Sequence, residues 1–201
     1  MKVLKIKTGI VETNTYFLYN DQNECVIVDP GDDIPAIFDV LEANSLTCKF
    51  VLLTHCHFDH CNACLALQQN GAKVYMHKKE LALIRTADNL ANKFGVPFNR
   101  FEPNEFVKDG QEIELCGMVF KVMHTPGHTV GSSCYIVENF LFSGDTIMYL
   151  SCGRTDFPTG NARDMKKSLS KIVNLDKNYM IFPGHNNSTQ VQFEKKNNPY
   201  V

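Results

Sequence analysis

The sequence has no uninterrupted apolar run of membrane-spanning length, which excludes a transmembrane helix. It has no low-complexity segment and no Pro- or Gly-rich linker, so nothing marks a boundary between units. It has no large charge excess either. Twenty Lys and Arg face 22 Asp and Glu, a net charge of −2, and this balance gives no reason to expect nucleic acid or a membrane surface as partner. The first residues are not expected to be a secretory leader: lysines interrupt Met1-Lys2-Val3-Leu4-Lys5-Ile6-Lys7 at every second or third place, and the stretch reads as an alternating strand. Hydrophobic residues at 44% and charged residues at 21% argue against a disordered chain, a collagen-like chain and a coiled coil. The 201 residues suffice for one domain with its own core. A single domain over residues 1–201, in the cytoplasm, is the expectation.

Eight cysteines are present, and without a leader they are expected as reduced thiols. Cys61 and Cys64 form a lone C-x-x-C. A redox pair would have this spacing, but so would two small residues on a helix, which is the reading adopted here. Runs rich in Val, Ile, Phe and Tyr predict strands at Val3–Lys7, Thr15–Tyr19, Cys25–Val28, Phe50–Thr54, Lys73–Met76, Glu112–Leu115, Val119–Met123, Cys134–Val137, Phe140–Ser143 and Tyr179–Phe182. Helical spacing predicts helices over Ile34–Asn44, Asn62–Asn70, Lys78–Lys93 and Ala162–Leu175. The order resembles two coarse α/β halves. Residues Lys93–Lys108, without clear periodicity, read as the crossing between them or as a flap.

Chemistry concentrates in Thr54-His55-Cys56-His57-Phe58-Asp59-His60, just past the apolar run Phe50-Val51-Leu52-Leu53. Imidazole and carboxylate are the ligands that divalent transition metals prefer. Residues two apart in a turn can face one ion, as His55 and His57 do on this reading, while Asp59 and His60 turn toward a second. One short loop rarely closes a site. Three further groups follow apolar strands, each with a glycine just before it: His128 in Thr125-Pro126-Gly127-His128, Asp145 in Phe142-Ser143-Gly144-Asp145, and His185 in Phe182-Pro183-Gly184-His185. Glycine lets the backbone turn tightly there, and open α/β architectures gather their sites at the carboxyl ends of strands. The count suits two metals. His55, His57 and His128 would serve one, Asp59, His60 and His185 the other, with Asp145 as the bridging carboxylate. A water between the ions would lose its proton near neutral pH. His124 reads as a polar strand terminus and His77 as a helix entry.

These residues resemble the signature of the metallo-β-lactamase superfamily, T-H-x-H-x-D-H, with T-P-G-H-T, F-S-G-D and P-G-H elements following in the family's order. The resemblance implies a four-layer αβ/βα sandwich, an α/β fold, with a dinuclear site at one edge of the two sheets. A narrower resemblance is to the glyoxalase II (hydroxyacylglutathione hydrolase) branch, in its short bacterial form. It rests on Gly153-Arg154-Thr155-Asp156-Phe157-Pro158 and on the ending Glu194-Lys195-Lys196-Asn197-Asn198-Pro199-Tyr200. Full-length members carry a C-terminal helical domain that helps hold glutathione, and this sequence shows none.

What the narrower resemblance implies is a metal-dependent hydrolase of small-molecule thioesters. Its cofactors would be two divalent ions, zinc by default with iron or manganese as alternatives. Asp59 would act as both ligand and catalytic residue. Arg154 would be a substrate contact, against a plain Arg154–Asp156 surface pair. Cys56 is expected to face away from the site, and Cys152 to be the thiol nearer substrate. Persulfide dioxygenases are also similar, including in the Gly-Arg-Thr-Asp-Phe stretch. That alternative implies a single iron on His55, His128 and Asp145. β-Lactam hydrolysis, nuclease activity and a non-catalytic metal module rank below both.

Overall fold

The computed structural model describes residues 1–201. Two six-stranded sheets form the centre. The first contains β1 (Lys2–Thr8), β2 (Thr13–Tyr19), β3 (Glu24–Val28), β4 (Thr47–Leu52), β5 (Lys73–His77) and β6 (Glu105–Val107), in that spatial order. The second contains β7 (Glu112–Leu115), β8 (Met118–His124), β9 (Ser133–Val137), β10 (Phe140–Gly144), β11 (Met180–Pro183) and β12 (Thr189–Gln190), also in chain order across the sheet. Each half of the chain therefore makes one sheet, as the two-halves pattern predicts.

Side-chain alternation explains the layering. In β3, Val26 and Val28 face the second sheet, where they meet Phe120, Val122, Tyr135 and Phe142 in one core. Cys25 and Ile27 point the other way, into a core with Ile37, Leu41, Cys64 and Leu67 from the helices α1 (Ile34–Ala43) and α3 (Cys64–Gln69). Strands buried on both faces supply two cores at once. A third core lies outside the second sheet, under α6 (Ala162–Val173), whose Met165, Leu169, Ile172 and Val173 recur at helical spacing. The result is helix, sheet, sheet, helix: the four-layer α/β sandwich.

The helix starts follow local chemistry. Asp33 caps α1 by accepting the Ala36 N–H at 3.2 Å, with Pro35 in the first turn. Asn161 caps α6 by accepting the Asp164 N–H at 3.0 Å. The helix expected over Lys78–Lys93 is broken. A 3-10 turn at Lys78–Glu80 leads into α4 (Leu81–Arg85), a second turn covers Ala87–Asn89, and α5 spans only Ala91–Phe94. Thr86 is extended and its hydroxyl accepts the Asp88 N–H, so a new cap interrupts the old helix, and Leu90 adopts φ +70°. The crossing segment also contains a strand that its weak periodicity hid, β6 at the sheet edge, paired in parallel with β5. Near the C-terminus α7 (Val191–Asn197) joins the outer layer of the second half. No helix is long and apolar enough to cross a membrane.

Strand direction positions the site. β3, β4 and β5 run parallel, as do β10 and β11, and β8 shares the direction of β10 because both are antiparallel to β9. The segments after β3, β4, β8, β10 and β11 therefore emerge at one edge of the sandwich.

Candidate metal centre

The seven residues singled out from the sequence converge at that edge. His55 and His57 follow β4, and His57 begins the short helix α2 (Phe58–Cys61), which carries Asp59 and His60. His128 follows β8, Asp145 follows β10 and His185 follows β11. Gly127 has φ +146°, and any Cβ there would overlap the Met165 backbone, so only glycine lets the His128 loop pack on α6.

Two clusters of the seven result, and a third group joins Asp29 to His55 and His60. The ligand atoms of His55, His57 and His128 lie within 4.8 Å of one another, as do those of Asp59, His60 and His185. His57 Nδ1 is 2.9 Å from His128 Nε2. His60 Nε2 is 3.3 Å from both His185 Nε2 and Asp59 Oδ2. Asp145 lies between the clusters: one oxygen is 3.4 Å from His128 Nε2 and the other 3.6 Å from His60 Nε2.

Neighbouring groups fix which ring nitrogen is free. His60 Nδ1 sits 3.0 Å from Asp29 Oδ2 and His128 Nδ1 2.7 Å from the Arg154 carbonyl, which leaves each Nε2 toward the centre. His55 Nε2 and Asp145 Oδ1 are buried without a hydrogen-bond partner. Buried polar atoms are normally paired. Orphaned acceptors directed into a cluster of imidazoles and carboxylates are a donor set that fits divalent metal ions.

Electrostatics agree with that fit. Burial holds the His57 imidazole neutral, down to about 3, with His128 adding to the shift. His55 is pushed well below its ordinary value by burial and by its imidazole neighbours. Burial also opposes charge on Asp59 and Asp145, yet His60 and His185 pull both carboxyls below the usual range. His60 in turn is raised, because Asp59, Asp145 and Asp29 outweigh its burial. His55 and His57 are thus held neutral beside ionised carboxylates, the forms that bind metal, whereas His60 and His185, both raised by those carboxylates, must each give up a proton when an ion binds.

Beside the clusters lies a cavity of about 280 Å³ that touches His57, Asp59, His128, Asp145 and His185. Arg154 stands at its rim, paired through both Nε and Nη2 to Asp156 at 2.6 Å, with its guanidinium 3.9 Å from the Phe157 ring centre. Cys56 is fully buried with its sulfur against Met76, facing away from the site as expected. Cys152 does not reach the cavity; it lines a neighbouring groove with Met165, Leu169 and Tyr200. Cys61 and Cys64 are free, buried thiols on successive helices. His124 stacks on His77 at 4.2 Å, outside both clusters.

Three supporting residues escaped the reading of the sequence. Asp29 accepts the Thr54 N–H at 2.8 Å and the Thr54 hydroxyl at 2.6 Å, besides orienting His60. The Thr13 hydroxyl donates to Asp59 Oδ2 at 2.7 Å. Glu80 is wholly buried and accepts from the Cys56 N–H, the Thr129 hydroxyl and the Gly131 N–H, which ties the loop of His55 and His57 to that of His128. Asp29 had a usable signal, since it follows the buried strand β3 as the other site residues follow theirs. Glu80, beside two lysines, had none.

The comparisons agree with this architecture. The sequence model of the metallo-beta-lactamase superfamily matches residues 8–185. The hydroxyacylglutathione hydrolase GloC of Haemophilus influenzae is 30% identical over 208 residues, covering 100% of this chain and 98% of its own. Among solved structures, the B3 metallo-beta-lactamase BLEG-1 superposes with a TM-score of 0.93 at 34% identity, over 99% of each chain. TTHA1623 in a di-iron-bound form gives 0.90 at 29% identity, covering 98% of this chain and 100% of its own. ETHE1 from Myxococcus xanthus gives 0.82 at 27%, covering 99% and 84%.

Proposed function

The chain belongs to the metallo-beta-lactamase superfamily, and on that premise we propose that it is a dinuclear metal-dependent hydrolase of small-molecule thioesters, of the glyoxalase II (hydroxyacylglutathione hydrolase) type. The observation that carries this reading is the presence of two clusters with a carboxylate between them. Asp145 reaches from His128 to His60 and also lies 3.6 Å from His185. Asp59, His60 and His185, gathered within 4.8 Å of one another, offer ligands for a second ion.

When bound, the two ions would polarise a carbonyl oxygen and make water a nucleophile at neutral pH. His55, His57 and His128 would hold one ion, and Asp59, His60 and His185 the other. Asp59, fixed by the Thr13 hydroxyl, accepts a hydrogen bond from the attacking water and aims it. In the net reaction a C–O bond forms, the C–S bond breaks, and the thiol leaves with a proton from water. The apolar walls of the cavity exclude bulk water from the reacting carbonyl. Arg154, at the rim, is the side chain placed to meet the thiol carrier.

A second reading has its own support. ETHE1 from Myxococcus xanthus is similar in fold and sequence. On this reading one iron for persulfide oxidation would rest on His55, His128 and Asp145, of which Asp145 lies 3.4 Å from His128 Nε2. Chelator-free, anaerobic purification and elemental analysis separate the two. About two ions per chain, with hydrolysis of glutathione or other small-thiol thioesters, support the hydrolase. One iron, with dioxygen consumed on glutathione persulfide, supports the alternative and overturns the dinuclear assignment. A β-lactam substrate belongs in the same panel, because BLEG-1 is a B3 metallo-beta-lactamase. Faster turnover there than on any thioester would overturn the thioester reading.

A further inference from the structure

The cavity walls carry information about the acyl group. Apart from the candidate ligands and Gly153, the lining is Val11, Phe58, Leu90, Phe94, Met148, Phe157 and one polar side chain, Arg154. Arg154 is 55% exposed and spends its Nε and Nη2 donors on Asp156. No other lining side chain outside the clusters can donate to or accept from a hydroxyl. At about 280 Å³ the space is at the small end for ligand sites.

The apolar wall is a separate construction. Phe58, Leu90 and Ala91 form their own cluster, with Val11, Val96, Phe98 and Phe157 against it, apart from the three cores around the sheets. Its outer part is α5, a single turn held between Leu90 at φ +70° and Gly95 at φ +68°. A leucine in the left-handed region is disfavoured, and such outliers persist where the surroundings hold them. Phe94 projects from this turn against Phe58, ring centres 5.3 Å apart, and remains 44% exposed beside the cavity. An aromatic side chain left half in water at the mouth of a site gains burial when an apolar group enters.

Resting on the thioester hydrolase reading, we propose that the acyl group this enzyme takes is small and apolar, without a 2-hydroxyl, and that Phe94 and Leu90 select it. The preference runs opposite to that in the name of the hydroxyacyl relative. An apolar pocket rejects an isostere that merely adds a hydroxyl by up to about a hundredfold, whereas a pocket built to bond the hydroxyl would reject the apolar analogue far more strongly.

The test uses the metal-loaded enzyme with the 2-methylpropanoyl and 2-hydroxypropanoyl thioesters of glutathione, which exchange a methyl for a hydroxyl. Each kcat/KM is divided by that ester's rate of hydroxide hydrolysis, to remove intrinsic reactivity. The expected ratio favours the methyl ester by about ten- to a hundredfold. Phe94→Ala should bring the ratio toward one, mainly through the KM of the methyl ester, and Phe94→Leu should restore part of it. The uncleavable S-(2-methylpropyl)glutathione should also shift the Phe94 and Leu90 resonances of the metal-free protein more than its 2-hydroxypropyl counterpart does. An equal or inverted ratio, or a ratio untouched by Phe94→Ala, overturns the proposal while leaving thioester hydrolysis in place. Cleavage of neither ester by protein with full metal content overturns the hydrolase reading itself.

Discussion

His60 Nδ1 lies 3.0 Å from Asp29 Oδ2, and both groups are buried. The carboxylate fixes the tautomer and orientation of the ring, so that Nε2 faces His185 and Asp59. Partners of this kind typically account for 10- to 100-fold in metal affinity. Asp29→Asn should lower zinc affinity by about that factor, read by competition with a chromogenic chelator. Its oxygen can still accept from Thr54, so the fold should survive. Unchanged affinity would show that Asp29 serves Thr54 alone.

Asp145 touches both clusters, and its loss should be felt by both. Asp145→Ala is expected to reduce bound metal below that of the wild type and to cut turnover by about a hundredfold or more. Elemental analysis alongside thioester kinetics checks this. Near-wild-type hydrolysis at full metal content would remove Asp145 from the centre.

Gly184 precedes His185 where β11 ends. A Cβ there would overlap Asp145 Oδ1 and come 2.6 Å from His60 Cε1, both at the ends of candidate ligand side chains. Gly184→Ala should therefore displace a carboxylate and an imidazole together and weaken metal binding more than it weakens folding. Comparing chelator competition with denaturant unfolding of the metal-free protein would reveal the split. Equal losses in both would mean that the strain spreads through the sheet.

Much of this centre was legible because it obeys one rule, a ligand-type residue just beyond an apolar strand. His55, His128, Asp145 and His185 all follow it, and the parallel strand directions bring the ends together. Where local chemistry competes with periodicity, the pattern misleads. Leu83, Ile84, Leu90 and Ala91 are spaced as on one helix and all are buried, but the Thr86 cap and the left-handed Leu90 break it into pieces. Edge strand β6 has three residues, two of them exposed, too short for alternation to register. Cys152 sits next to Gly153 in the sequence but turns to the neighbouring groove, a direction that spacing does not encode. Glu80 was invisible for a different reason. Its neighbours Lys78 and Lys79 mark a solvated turn, and only the tertiary fold buries it.

That burial has a consequence for pH. Burial pushes the Glu80 carboxyl up to about 7, against hydrogen bonds from Thr129, Cys56 and Gly131 that favour its ionised form, whereas its ordinary value is 4.5. Between those values the folded protein keeps a proton that the unfolded chain releases. Glu80 thus contributes its full stability below about pH 4.5 and loses it as pH rises toward 7, about 3 kcal/mol in all. Glu80→Gln cannot ionise. Its amide group sets an NH2 against at least one of the three donors, so the variant should be less stable at every pH, but by an offset that does not itself titrate. Denaturant unfolding at pH 5 and pH 8, at fixed zinc, should show the wild type losing about 2–3 kcal/mol more than the variant across that interval. Contributions from the histidine clusters are common to both proteins and cancel in the difference. Parallel pH dependences would mean that the three hydrogen bonds hold Glu80 ionised throughout, and that the link between the two metal-binding loops is a permanent charge.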